Sequence, residues 1–334
     1  MHRGICHCIA TFLLLVGVLP LAAQASASGS KLAPLHVQLD WKPTAQFAGI
    51  LVAKQKGFYA AEGLDVTILR GDGDTPSVDL VARHANDASG WLGITEADLL
   101  LAGRAKGLPL KAFATMMQTT PFALLTLKQS GLTTIKSLKG KTIGLHDDGE
   151  KAIDVLLQFN GMTRSDVTII KIPYNNDALL NGSAAAIQGY VIDEAVRLKM
   201  EHHPVNIIPM GDNGYVSYAE VLFAPDAFLH DHPETLVQFL RATARGWKYA
   251  GAHPEETAQM IVAKYAPESS VAEQKASLLA VMPLLQAESP KFGEMRPETW
   301  DESVEMFEKY KLVDGKLSAV DAVDYGVLTQ LYRR

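Results

Sequence analysis

The sequence predicts an α/β protein of two domains followed by a helical C-terminal region, and three observations predict it. A strand–loop–helix–strand unit occupies 35–68, and a fresh unit of the same kind starts at 138–144 after a Pro-interrupted stretch at 119–131. From His232 onward the apolar spacing is almost entirely helical. Roughly 300 residues beyond an N-terminal leader exceed what one small core organises, which agrees with two domains of ordinary size.

The elements follow in order. Alternating apolar residues at 35–39 give a strand that stops at Asp40-Trp41-Lys42-Pro43, and Phe47, Ile50, Leu51 and Val52 recur at helical spacing. Gly57 ends that helix, and 64–68 is a second strand. Helices are expected at 76–84 and 96–104, the latter with Thr95 as N-cap, around a strand at 88–94, and 108–116 is a further strand. The second unit reads as a strand at 142–145, a loop at 146–149 and a helix at 151–160, with strands at 167–172, 184–191 and 205–208. Gly211-Asp212-Asn213-Gly214 is a strong turn cluster, after which 215–223 returns as a strand toward the first domain. Helices opening at Pro233 and at Pro254, and others at 271–285 and 297–310, complete the chain.

The motif LDWKPTAQFAGILVAKQKGFYAAEGLDV (39–66) resembles the start of the periplasmic substrate-binding proteins that feed ABC importers with thiamine-pyrimidine precursors, with their sulfonate- and riboflavin-binding relatives. Weaker likeness continues along nearly the whole chain. The resemblance implies a type II-like periplasmic-binding-protein fold: two parallel-rich sheets with a ligand cleft between them. The expected first domain is discontinuous, 34–120 plus 216–334, and the second, 121–215, is inserted. Two chain crossings would let the domains hinge closed over a small molecule.

Residues 1–27 have the organisation of a secretory signal peptide: Arg3, an apolar run at 9–19 too short to span a bilayer, and small residues from Ala23 to Ala27. A periplasmic, freely diffusing mature chain is expected. Both cysteines, Cys6 and Cys8, fall in that leader, which leaves no disulfide framework, Cys-ligated zinc or thiol nucleophile after cleavage. Net charge is −6, or −7 without Arg3, so no basic excess exists for nucleic acid or anionic lipid.

Candidate ligand-binding residues sit where strands give way to helices. The resemblance carries ring and polar contacts to Asp40 and Trp41, although a solvated turn Asp and a core Trp would look the same. Trp91 is either a second ring contact or core. In His146-Asp147-Asp148-Gly149-Glu150, one carboxylate, Asp148 or Glu150, contacts ligand or the stretch simply caps a helix. Tyr190 and Glu194 match a tyrosine and glutamate of the family, and capping of the following helix is the competing reading. These segments offer Asp40, Asp147, Asp148, Glu150, Asp193 and Glu194 against Lys42 and Lys151, with no Arg. That balance favours a neutral or weakly cationic ring over a sulfonate or phosphate.

No catalytic residue, cofactor or metal site is expected. The histidines lack zinc-ligand spacing, and neither a G-x-S-x-G elbow nor a Walker loop is present. The family includes fungal pyrimidine synthases with a cysteine-rich iron site and a histidine where this chain has Phe47. The expectation is therefore a monomeric importer component binding a pyrimidine precursor, with an ABC permease as partner. Riboflavin or a sulfonate as ligand, a synthase, and a sensory module are the alternatives.

Overall fold

Ten strands build two mixed five-stranded sheets. They are β1 (Ala33–Gln38), β2 (Leu64–Leu69), β3 (Gly90–Thr95), β4 (Leu110–Met117), β5 (Phe122–Leu127), β6 (Thr142–Leu145), β7 (Thr168–Lys171), β8 (Ala186–Tyr190), β9 (Val205–Pro209) and β10 (Ala219–Pro225). This computed structural model describes residues 1–2, 32–146, 149–286, 291–313 and 317–333, and Leu32–Arg334 form one compact unit. The expected leader, apart from its first two residues, and Asp147 and Asp148 lie outside the described residues.

The sheets repeat one plan. The first has the order β2-β1-β3-β10-β4 and the second β7-β6-β8-β5-β9. In each, three parallel strands stand beside one antiparallel strand, β10 or β5, which is paired on its other side with the last strand. The chain passes between sheets twice, from Met117 to Phe122 and from Pro209 to Ala219. Strand β5 is absent from the sequence reading, because Thr119-Thr120-Pro121 masks its start. Its residues Phe122, Ala123, Leu124 and Leu125 are all buried between β8 and β9.

Fourteen helices surround these sheets among the described residues: α1 (Ala48–Gln55), α2 (Phe58–Ala61), α3 (Ser77–Arg83), α4 (Ala97–Ala105), α5 (Glu150–Phe159), α6 (Asp177–Leu180), α7 (Glu194–Met200), α8 (Asp226–Asp231), α9 (Pro233–Ala252), α10 (Pro254–Lys264), α11 (Val271–Gln286), α12 (Pro297–Lys309), α13 (Ala319–Ala322) and α14 (Gly326–Tyr332). The long α9 presents Leu236, Phe239, Leu240, Thr243 and Trp247 inward, a 3.6-residue stripe. It crosses α1 where two glycines meet, and a Cβ at Gly246 would stand 1.9 Å from the Gly49 carbonyl oxygen. That close approach fixes α1, and with it the loop that precedes α1. Thr95 is the last residue of β3 rather than a cap: Glu96 occupies the N-cap position of α4, and the Thr95 hydroxyl is buried without a hydrogen-bond partner.

Candidate functional site

The carboxyl ends of all six parallel strands converge on one cavity. After β1 come Asp40 and Trp41, after β2 Gly73 and Thr75, and at the end of β3 Thr95 and Glu96. After β6 comes His146, after β7 Tyr174, and at the end of β8 Tyr190. That edge is where open α/β sheets leave loops free to hold ligands. Phe122, at the start of β5, and Asp193 and Glu194, at the start of α7, close the far wall. The cavity measures about 290 Å³. A second, more polar cavity of about 450 Å³ shares Trp41, Gln46, Tyr174 and Asp193 with it and reaches Ser269, Gln274 and Ser277 near α11.

Aromatic rings line two sides. The Trp41 and Tyr174 centroids are 5.0 Å apart, and those of Tyr174 and His146 are 4.2 Å apart. Opposite, Tyr190 meets Phe122 edge to face at 4.6 Å. Lys42 places its ammonium 5.3 Å from the Trp41 ring centroid. Gly73 has φ +82°, and a Cβ there would fall 2.4 Å from the Trp41 ring, so its lack of a side chain lets the loop after β2 run against the indole.

The polar groups divide into two sets. On the wall, Arg197 donates from Nη1 to Asp193 Oδ1 at 2.7 Å and from Nη2 to Glu194 Oε1 at 2.8 Å, while the Tyr190 backbone N–H donates to Glu194 Oε2 at 2.9 Å. Burial, followed by the Glu194 charge, pushes the Asp193 carboxyl up to about 7 against the opposing pull of Arg197. On the floor, Asp40, Glu96 and Glu220 each bring a carboxylate oxygen within 4.8 Å of the others. Burial pushes Asp40 up to about 7, and it pushes Glu220 well above the carboxylate range, with the Asp40 and Glu96 charges adding to the effect. Glu220 is fully buried in β10 and has φ 54°, a left-handed conformation unusual for a residue with a side chain inside a strand. Gln46 Nε2 donates to its Oε1. The Tyr190 hydroxyl donates to Glu96 Oε1 at 2.6 Å and so joins the two sheets across the cavity, and Tyr215 makes a similar bond to Asp98 Oδ2 at 2.9 Å. Among the described residues lining the first cavity there is no Lys or Arg.

Of the residues singled out in the sequence, Asp40, Trp41, Tyr190 and Glu194 lie around this cavity. Trp91 does not. It is the second residue of β3, which runs on for four more residues, so Trp91 sits toward the opposite edge of the sheet from the cavity. There it lies between the imidazoles of His36, 4.7 Å away, and His84, 3.8 Å away and nearly parallel. Glu150 also faces elsewhere, onto Arg164 Nη2 at 2.9 Å on the exposed side of α5. Asp148 lies outside the described residues. Glu96, Glu220, Tyr174 and Phe122 escaped the sequence reading. The rule that selected Asp40, a polar or aromatic residue just past a strand, also selects Glu96 and Tyr174. A lone carboxylate within the apolar run 219–225 was the signal for Glu220.

The NMT1/THI5-like family matches residues 44–257. The chain is 31% identical over 226 residues to a 4-amino-5-hydroxymethyl-2-methylpyrimidine phosphate synthase of Uromyces fabae, covering 64% of this chain and 65% of that protein, less than two thirds of its length. It is 28% identical over 260 residues to the riboflavin-binding protein RibY of Chloroflexus aurantiacus, covering 76% and 72%. It is 26% identical over 325 residues to the formylaminopyrimidine-binding protein of Halalkalibacterium halodurans, covering 92% and 96%. Among solved structures, the alkanesulfonate-binding protein SsuA of Xanthomonas axonopodis pv. citri, bound to MOPS, aligns with TM-score 0.65 at 14% identity over 88% of this chain and 99% of that one. That likeness makes the architecture a periplasmic-binding-protein fold. Among the described residues no helix is long and apolar enough to cross a membrane. With the family match extending over more than half of its length, the chain belongs to the NMT1/THI5-like family.

Proposed function

We propose that this protein is the extracytoplasmic solute-binding component of an ABC importer and that its cavity takes a thiamine-pyrimidine precursor or a related heteroaromatic molecule. One observation carries the reading: an aromatic-walled slot whose polar lining is carboxylate, amide, hydroxyl and imidazole, without Lys or Arg among its described residues. Such a site receives ring N–H and amino groups, and it disfavours sulfonate or phosphate, for which an uncompensated buried charge is costly. Trp41 and Tyr174 stack on the ring, Tyr190 and Phe122 close the other side, and Asp40, Asp193 and Glu194 accept from it.

The two sheets correspond in this proposal to two lobes, 34–120 plus 216–334 and 121–215, that close over the ligand with Glu96–Tyr190 as a latch. The relative that binds formylaminopyrimidine matches along nearly its whole length, which supports transport over synthesis. Against a synthase stand Phe47, buried in the core at the family's histidine position, and a sequence whose two cysteines both fall within the first eight residues. Export through the leader and delivery to a membrane permease complete the reading.

A flavin is the second reading. The adjoining polar cavity, with Ser269, Gln274 and Ser277, would accommodate a hydroxylated chain attached to a ring in the first. Mass spectrometry of small molecules released from the purified protein separates these ligands. Recovery of an aminopyrimidine supports the first reading, recovery of a flavin the second, and turnover of a bound pyrimidine would replace both with an enzyme.

A further inference from the structure

We propose that the cavity floor is a binding site for one divalent, oxygen-preferring metal ion, held by Asp40, Glu96 and Glu220. Three carboxylate oxygens that all lie within 4.8 Å of one another leave a point no more than about 2.8 Å (4.8 Å divided by √3) from each. Calcium–oxygen distances are about 2.3–2.6 Å, so small side-chain adjustments complete the contacts. Magnesium, at about 2.0–2.1 Å and in near-octahedral geometry, requires a larger contraction. The donor set is all oxygen, without sulfur or imidazole, which selects calcium or manganese over zinc and copper.

The second observation concerns oxygens that have lost water without gaining a partner. Glu220 has no exposed surface; its Oε1 accepts from Gln46, but its Oε2 is buried and accepts nothing. Asp40 Oδ1 is buried and equally without a donor. The Thr95 hydroxyl, adjacent in the chain to Glu96 and part of the same cavity lining, is a third buried oxygen without a partner. Neither Asp40 nor Glu220 makes an ion pair among the described residues, and the nearby guanidinium of Arg197 is committed to Asp193 and Glu194. Groups of this kind are stable in the interior when a cation sits among them. Three carboxylates from β1, β3 and β10 also explain why no metal-ligand spacing is visible in the sequence. Because Glu96 is bonded to Tyr190, the ion would brace the link between the sheets.

The test uses the full mature chain, stripped with a chelator and free of organic ligand. It is titrated calorimetrically with Ca²⁺, and with Mn²⁺ observed by electron paramagnetic resonance. The expected result is one ion per chain with a Kd in the micromolar range or below, and a rise in Tm of several degrees at saturation. Glu220→Gln and, separately, Glu96→Gln weaken binding by tenfold or more, while Glu150→Gln, an exposed carboxylate paired with Arg164, leaves it unchanged. Glu96→Gln keeps the test decisive should Glu220→Gln misfold. Absence of saturable Ca²⁺ or Mn²⁺ binding below millimolar concentration overturns the proposal and leaves the cluster compensated by protons. Binding that survives both Gln variants overturns it as well.

Discussion

The wall and the floor of the cavity carry similar acidic charge and hold it in opposite ways. On the wall, Asp193 and Glu194 flank the start of α7, and Arg197 follows one helical turn later, so the helix itself delivers the compensating cation to the same face. On the floor, Asp40, Glu96 and Glu220 arrive from three strands far apart in sequence, and strand geometry brings no cation with them. Local sequence can compensate a helical carboxylate, whereas a cluster assembled by sheet topology has to hold protons or a bound cation.

Five substitutions, one of them read across a pH range, break or sharpen this contrast. The largest effect is expected from Arg197→Ala, which strands two carboxylates on the wall. Asp193 and Arg197 keep about a third of their side-chain surface, 33% and 29%, so the loss is about 2–3 kcal/mol rather than the ~3–5 kcal/mol of a fully buried pair. Urea denaturation measures it, and a loss below about 0.5 kcal/mol would mean that the wall is not held by this pair. Glu220→Gln should act with the opposite sign in chelator at pH 8, stabilising by about 1–2 kcal/mol, because without a cation the buried carboxyl must either hold a proton at that pH or carry an uncompensated charge. A destabilised, still folded variant would show that the carboxylate is already compensated.

Trp41→Ala should cost about 1 kcal/mol of ligand binding or more with little change in stability, since its ring pairs with Tyr174 at the mouth of the cavity. Trp91→Phe, at the other edge of the sheet, should leave affinity unchanged. The remaining test is pH. The folded protein holds the proton of Asp193 up to about pH 7, whereas the unfolded chain releases it near 4. The unfolded state therefore binds fewer protons between these values, and the contribution of Asp193 to stability falls as pH rises from about 4 through 7. Glu194, Arg197 and Glu273 are the charged groups that act on Asp193. Asp193→Asn should flatten that slope in thermal melts between pH 5 and 8, and an unchanged slope would place the titration elsewhere.

The sequence made much of this architecture legible, because period-two and helical apolar patterns are local. Strand β6 (Thr142–Leu145) was read to the residue, and β1, β2 and α9 to within a few. Strand β5 carries no alternation, because Pro121 stands directly before it and its first five residues are buried on both faces. For Trp91 the sequence leaves ring contact and core both open, since it stands shortly before the expected strand end at Ile94. In the structure β3 ends at Thr95, and Thr95 and the next residue, Glu96, are the ones that reach the cavity. Glu220 became meaningful only with its neighbours, since its environment consists of residues 124 and 180 positions away in the chain.

The most direct measurement is calorimetry of the mature protein against 4-amino-5-hydroxymethyl-2-methylpyrimidine, formylaminopyrimidine and an alkanesulfonate in one buffer. A cavity walled by rings and lined with carboxylates predicts micromolar or tighter binding of a pyrimidine, about −8 kcal/mol, with none detectable for the sulfonate. Micromolar sulfonate binding with no response to either pyrimidine would contradict it.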